Sequence, residues 1–285
     1  MTINLLRRAA TAALLLCAAL PALAKEPSAA KLPIAVQMYT LRDVPSLEDR
    51  LKIVHDAGVT AVETVGTQDV SAQELKRLLD QYGIEAISTH APLADLRKDP
   101  DSVVAFNKAI GNHTLVVPYL QEEERPKDAA GWTALGKELG QLAGKVQAEG
   151  MTLAYHNHDF EFADFNGKTG LELMFEAAGP GLKSELDLAW VARAGYDPAV
   201  FLGKLNGRVF AVHAKDNAPK GEAAEEHGFA AVGKGVLDWS KILPAADHAG
   251  VKWYIIEHDY PLDPALVIRT GAAYLVEHLP ADVKR

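Results

Sequence analysis

In the stretch Leu153–Glu161, Leu-Ala-Tyr-His-Asn-His-Asp-Phe-Glu, an apolar lead-in breaks into His156, Asn157, His158 and Asp159. On an extended strand alternate side chains share a face, so Ala154, His156 and His158 point one way and Tyr155, Asn157 and Asp159 the other. Two imidazoles on one face at a strand end suit a metal ion or a sugar. Three more apolar runs switch to ligand-type residues in the same way: Leu182–Leu186 leads to Asp187, Val209–Val212 to His213, and Lys252–Ile256 to Glu257. Any one of these residues alone is better explained by a local cap or hydrogen bond than by a ligand role, but four such switches in one chain are poorly explained by loop solvation. Imidazole and carboxylate donors suit Mn²⁺, Mg²⁺, Co²⁺, Zn²⁺ or Fe²⁺, with nothing in the spacing to choose among them.

The elements that must position these residues alternate regularly. Ile34–Met38, Ala61–Val65, Ile84–Thr89 and Thr114–Pro118 precede the strand at Leu153, and the runs named above follow it, giving eight strand candidates. Helical patterns separate them, among them a helix opening at the Ser46 cap, a long one from about Lys127 to Ala148, and a closing one at Pro264–His278. Parallel neighbours need crossover helices, and eight strands are enough to close, so the expected fold is α/β, a single-domain (β/α)8 TIM barrel. A doubly wound open sheet is the rival, since it repeats the same units. The barrel also explains why Arg42, Glu63, His90, His156, Asp187, His213 and Glu257 all fall near the C-terminal ends of separate strands, the face on which such barrels build chemistry.

A chain of 285 residues is of the right length for one such barrel, and its net charge of −9 argues against nucleic acid as a partner. Residues 1–24 read as a signal peptide, with Arg7 and Arg8 before the apolar run from Ala9 to Leu20 and Ala22-x-Ala24 offering small residues for cleavage before Lys25. The apolar run is short for an uncleaved membrane anchor. The twin arginine motif is weak, and Leu16 before Cys17 does not suit a lipid anchor. The remaining domain is 25–285, exported, with the periplasm as the expected location and no membrane partner after cleavage. Cys17 is the only cysteine, so the processed chain has no thiol for a disulfide, a nucleophile or a thiolate metal site. Without Arg7 and Arg8, 27 basic residues face 38 acidic ones, a net charge of −11.

Taken in order, Gln37-Met38-Tyr39-Thr40-Leu41-Arg42-Asp43, His90-Ala91-Pro92, Tyr155-His156-Asn157-His158-Asp159-Phe160, Glu185-Leu186-Asp187, His213-Ala214-Lys215-Asp216, the loop Gly233–Trp239 and Ile256-Glu257-His258-Asp259 form a distinctive series. In this series the chain resembles the sugar phosphate isomerase/epimerase superfamily, the xylose-isomerase-like barrels that include ketose 3-epimerases, inosose dehydratases and endonuclease IV. It is closest in pattern to a secreted Tyr-His-Asn-His subgroup. The resemblance implies one divalent metal ion held by a Glu, an Asp, a His and a Glu on strands five to eight, which fall here on His156, Asp187, His213 and Glu257. His156 departs from the family's glutamate. That removes a charge and one of the two acids an epimerase uses. Glu185, on the face of Asp187, either supplies the missing carboxylate as a metal ligand or fills a buried layer.

The same resemblance makes Glu257 a ligand, a base or both, and Lys215 and His158 candidates for acid–base or substrate roles. Arg42 and His90 would bond sugar hydroxyls. The plainer reading of Lys215 is a salt bridge to Asp216 or Asp187. For His258, a further substrate-binding candidate, and Asp259 it is a solvated loop. Tyr39, Trp190 and Trp253 would stack on a sugar or pack in core and rim. Gly233-x-Gly235 lacks the strand context and third glycine of a dinucleotide site and reads as a tight turn capping the next helix at Asp238, with Trp239 packed below. No G-x-S-x-G elbow supports a hydrolase triad. The leading expectation is an isomerase or epimerase moving a proton next to a carbonyl of an unphosphorylated sugar, because sugar phosphates are scarce outside the cytoplasm. A lyase or hydratase acting on a 3-keto sugar or glycoside is the runner-up, and a non-catalytic periplasmic sugar-binding protein is the alternative of another class. Oligomeric state stays open, a homo-oligomer included.

Overall fold

The computed structural model describes residues 29–280 and Val283, so the signal peptide expected at 1–24, with Cys17, lies outside the described residues. Eight parallel strands close into a barrel: β1 (Ile34–Gln37), β2 (Ala61–Val65), β3 (Glu85–His90), β4 (Thr114–Val117), β5 (Thr152–His156), β6 (Leu182–Asp187), β7 (Val209–Ala214) and β10 (Trp253–Ile256). Between β7 and β10 a short antiparallel hairpin, β8 (Asp216–Asn217) and β9 (Phe229–Ala230), lies outside the barrel sheet. Closure, with β1 paired to both β2 and β10, rules out the open doubly wound sheet. Among the described residues no helix is long and apolar enough to cross a membrane.

Local chemistry sets the helix limits. The Ser46 hydroxyl accepts from the Asp49 amide to start α1 (Leu47–Asp56), and Asp263 caps α10 (Pro264–His278) in the same way. α2 (Ala72–Tyr82) runs from a Ser71 cap to Gly83, whose φ of 61° provides the left-handed stop. Between β3 and β4 the chain makes two helices that the sequence pattern had left unresolved, α3 (Leu93–Lys98) and α4 (Pro100–Ala109). Asp99, at φ −154° and ψ 72°, lies outside the helical region and separates them, ending one and capping the other through its bond from the Ser102 amide. α5 (Ala129–Ala148) packs tightly on α6 (Gly170–Ala178): a Cβ at Gly136 would lie 2.2 Å from the Met174 carbonyl oxygen, and one at Gly140 2.4 Å from that of Ala178. α7 (Leu188–Arg193), α8 (Pro198–Lys204) and α9 (Trp239–Ala249) complete the ring.

The main apolar core lies between the strands and the helices. A second, small cluster of Ala35, Ala61, Ala211 and Ile255, with Ile87, Phe210 and Trp253 against it, occupies the inward face lower in the barrel. Two residues further along the same strands, on the same face, stand Gln37, Glu63, His213 and Glu257. Two register shifts bear on this. β2 and β3 slip between Val62 and Glu63, so that Glu63 pairs with Ser88, and β6 and β7 slip between Ser184 and Glu185, so that Asp187 stands beside His213. A one-residue change of register reverses which face a side chain takes, so these irregularities aim His90 and His213 inward with their neighbours.

Candidate metal and sugar site at the barrel mouth

Inside the C-terminal mouth the buried polar side chains form two layers. In the inner one, Oε1 of Glu63 accepts from Nε2 of Gln37 at 2.5 Å and lies 3.0 Å from His90 Nε2 and 2.9 Å from His213 Nε2. Oε1 of Glu185 lies 2.9 Å from the same two imidazole nitrogens and 3.2 Å from His156 Nδ1. The outer layer holds the opposite nitrogens of two of those rings. His156 Nε2 is 3.8 Å from Asp187 Oδ2, and His213 Nδ1 is 3.9 Å from Asp187 Oδ2 and 2.8 Å from Glu257 Oε2. One donor atom from each of His156, Asp187, His213 and Glu257 fits within a 4.8 Å span, and so does one from each of His90, His156, Glu185 and His213.

Lys215 sits beside the outer layer, its Nζ 2.7 Å from Asp187 Oδ2, 2.7 Å from Glu257 Oε2 and 2.6 Å from Asp259 Oδ2. The contact to Asp187 is a charge contact outside hydrogen-bonding angles, which leaves Oδ2 without a hydrogen bond, while Oδ1 accepts from the Trp190 amide and caps α7. The expected partner Asp187 is therefore found and Asp216 is not. Asp216 instead accepts from the amides of Asn217, Gly233 and Leu237 and from the Trp239 indole. That also corrects the reading of Gly233-x-Gly235. The loop wraps around the Asp216 carboxylate, and a Cβ at Gly235 would lie 2.2 Å from Asp216 Oδ1. Asp238 begins α9 without a side-chain cap bond, although Trp239 is buried as expected.

Burial and proximity of charge set the protonation states. Burial raises Glu257, but Lys215 and His213 outweigh it and hold the carboxylate well below its ordinary range. Burial pushes Asp187 up to about 6 against the pull of Lys215. His213 is raised well above its ordinary value because Glu257 and Glu185 outweigh burial, and His90 is raised to about 9 chiefly by Glu63 against burial. Burial, with Lys215 nearby, takes His158 down to about 3, so that ring is neutral.

His158 lies beyond the end of β5 yet keeps the face of His156, their ring centroids 5.1 Å apart. Trp190, at 5.3 Å, and Tyr119, at 4.9 Å, flank it, and its Nδ1 is buried without a partner. Its backbone amide donates to Glu161 Oε2, whose Oε1 accepts from the Tyr155 hydroxyl. Glu161 is wholly buried, and burial pushes its carboxyl up to about 8.

The other expected residues divide. His90 joins the inner layer. Arg42 fastens the mouth, donating to the carbonyl oxygens of Asp259 and Tyr39 while it lies 4.2 Å from the Tyr39 ring centroid. Trp190 borders the site. Trp253 packs in the lower cluster, away from it. His258 and Asp259 are not a solvated loop. His258 is buried, its Nδ1 accepting from the Tyr260 amide and its Nε2 3.8 Å from Glu226 Oε1, and the Asp259 side chain is 14% exposed in its ion pair with Lys215. Glu63 stands on the C-terminal face as expected and Gln37 in the first of the motifs, both without an assigned role, and Glu161 is the buried acid that sequence passed over. An acid in the apolar run Ala61–Val65 was the available signal for Glu63, whereas Glu161 had none, because its partners depend on the turn after β5.

The outer layer fits a divalent ion: four donors converge from four strands, one carboxylate oxygen is buried without a hydrogen bond, and the set is free of thiols. Residues 51–278 match the family model of the xylose isomerase-like TIM barrel. A rhizopine catabolism protein of Rhizobium meliloti is 24% identical over 265 residues, 80% of this chain and 81% of that protein. The crystal structure of a sugar phosphate isomerase/epimerase from Parabacteroides distasonis superposes with a TM-score of 0.74 at 18% identity, over 93% of this chain and 98% of that one. The crystal structure of IolI protein with a zinc atom bound gives 0.68 at 15% identity, over 86% of this chain and 97% of that one. This chain belongs to the xylose isomerase-like TIM barrel family.

Proposed function

We propose that the chain is a metal-dependent enzyme that moves a proton next to the carbonyl of an unphosphorylated sugar or sugar derivative, as an isomerase or epimerase. The observation that carries this reading is the convergence of His156, Asp187, His213 and Glu257 from four strands, with the neutral His158 ring on its rim. His156, Asp187, His213 and Glu257 would hold the ion. When bound, a divalent ion polarises a carbonyl and its neighbouring hydroxyl.

The chain's own groups would do the rest. Glu257, held ionised by Lys215 and His213, and His158, held neutral by burial, are the two proton acceptors at the mouth. Lys215 is already engaged with three carboxylates, so it would fix Asp187 and Glu257 in place and offset charge. Trp190 and Tyr119 would give a sugar ring an apolar face and exclude water. An unphosphorylated substrate agrees with the arginines at the mouth. Arg42 donates to backbone carbonyls, Arg125 to the Leu120 carbonyl and the Tyr119 hydroxyl, and Arg193 to Asn217 and the His227 carbonyl. It agrees too with the export signature in residues 1–24, from which we propose a periplasmic location.

One observation favours a second reading, a lyase or hydratase acting on a 3-keto sugar or glycoside. The two proton acceptors at the mouth are unlike, the carboxylate of Glu257 held ionised and the imidazole of His158 held neutral, an arrangement that suits removal of a proton and loss of a leaving group on one side of the ring. Incubation of metal-loaded protein with free sugars and 3-keto-glycosides in D₂O separates the readings. Deuterium uptake without release of a group supports the isomerase, and release of the aglycone supports the lyase. Sugar binding that survives chelation, with neither reaction, would leave a binding protein and overturn both.

A further inference from the structure

His156 and His213 each stand between the two layers and turn one nitrogen to each. The outer nitrogens, His156 Nε2 and His213 Nδ1, face Asp187 and Glu257, while the inner ones, His156 Nδ1 and His213 Nε2, face Glu185 and Glu63. An imidazole nitrogen that binds a metal ion carries no proton, and the other nitrogen then donates to a neighbour that fixes tautomer and ring angle. All four groups around the inner carboxylates can donate from nitrogen: Gln37, His90, His156 and His213. Gln37 occupies Glu63 Oε1 with its amide, which marks that oxygen as an acceptor. The backbone sets this up, since His156 pairs in register with Glu185 and Gln37 with Glu63.

Resting on the metal reading given above, we propose that Glu63 and Glu185 are positioning residues rather than ligands. They form a buried carboxylate floor that holds His156 to the ion through Nε2 and His213 through Nδ1. The floor places negative charge behind the His156 ring, at the acceptor of its inner N–H, where it makes the imidazole more basic. The competing assignment, an ion among His90, His156, Glu185 and His213, would need the inner nitrogens bare and would displace the contacts of His156 to Glu185 and of His213 to both Glu185 and Glu63, where the outer assignment displaces only the hydrogen bond of His213 Nδ1 with Glu257.

The test is zinc competition against a chromogenic chelator with the purified chain and its Glu185→Ala, Glu185→Gln, Glu63→Gln and Asp187→Asn variants. It is paired with nitrogen-15 NMR of the histidine rings in the zinc-loaded wild type. Glu185→Ala should bind zinc about 10- to 100-fold more weakly, and Glu185→Gln, which keeps an acceptor oxygen, should recover part of that loss. Asp187→Asn should weaken binding more than any floor variant. The wild-type rings should carry their protons on His156 Nδ1 and His213 Nε2. Wild-type affinity in Glu185→Gln and Glu63→Gln together with the opposite tautomers would overturn the proposal. So would loss of zinc from Glu185→Ala with retention in Asp187→Asn, which would place the ion in the inner layer. A wild type that takes up no zinc, manganese or cobalt would overturn the metal reading itself. If Glu185→Ala fails to fold, the glutamine variants and the wild-type spectra still decide.

Discussion

Lys215→Met would remove the ammonium that Asp187, Glu257 and Asp259 share while keeping most of the side-chain volume. Two of those carboxylates are almost wholly buried, and Lys215 itself is fully buried. Removing one partner of a buried ion pair leaves uncompensated charge and costs about 3–5 kcal/mol, so in EDTA the variant should lose roughly that much stability at pH 7.5. The loss should depend on pH. Asp187 already has a folded pKa raised by burial to about 6, and loss of the cation raises it further. A carboxyl raised in the folded state stabilises fully below its unfolded pKa, about 3.9, and that contribution is lost as pH rises through the folded value. The gap between variant and wild type should therefore be present already at pH 5, where Glu257 is ionised beside Lys215, and grow through pH 6 to 8 as Asp187 ionises. Urea unfolding followed by circular dichroism at each pH measures it. A gap under about 1 kcal/mol at pH 7.5, or one equal at pH 5 and 8, would refute the electrostatic account of the outer layer.

Other expectations follow from the same physics. Glu161, raised to about 8 by burial, makes wild-type stability fall as pH rises from the unfolded carboxyl range through about 8; Glu161→Gln should flatten that part of the curve in unfolding titrations. The same variant should perturb the His158 ring signals, because Glu161 holds the His158 amide. Gly140→Ala would drive a Cβ against the Ala178 carbonyl and should cost about 1–3 kcal/mol by separating α5 from α6, measurable as a lower midpoint in the same assay. Asp216→Ala should loosen the loop that wraps its carboxylate and raise proteolysis near Gly233–Leu237, while the zinc affinity stays near that of the wild type.

Strand count, helix caps and the four converging donors were legible because each follows from a local rule: alternation within a strand, a hydroxyl or carboxylate before a helix, an apolar run ending in a ligand-type residue. Ser46 caps as its spacing predicts, and β2 has the expected limits. What stayed hidden depends on the distance between strands far apart in sequence. Nothing local says that Glu185 faces the inner nitrogens of His156 and His213, or that Lys215 chooses Asp187 and Asp259 over its neighbour Asp216. The register slip between β6 and β7 decides that side of the site, and bulges leave little trace in composition. Asp259 and His258 looked like loop residues because they follow a strand end. The hairpin of β8 and β9, with Phe229 beside Lys215 and His258, is part of the surroundings that bury them.

The most direct test of the central claim is the metal content of the purified protein after loading and desalting, compared between wild type and His156→Ala. The account predicts about one divalent ion per chain in the wild type and a clear loss in the variant, with the fold intact by circular dichroism. Equal metal content in the two proteins would contradict it, because the strand-five imidazole would then have no part in holding the ion.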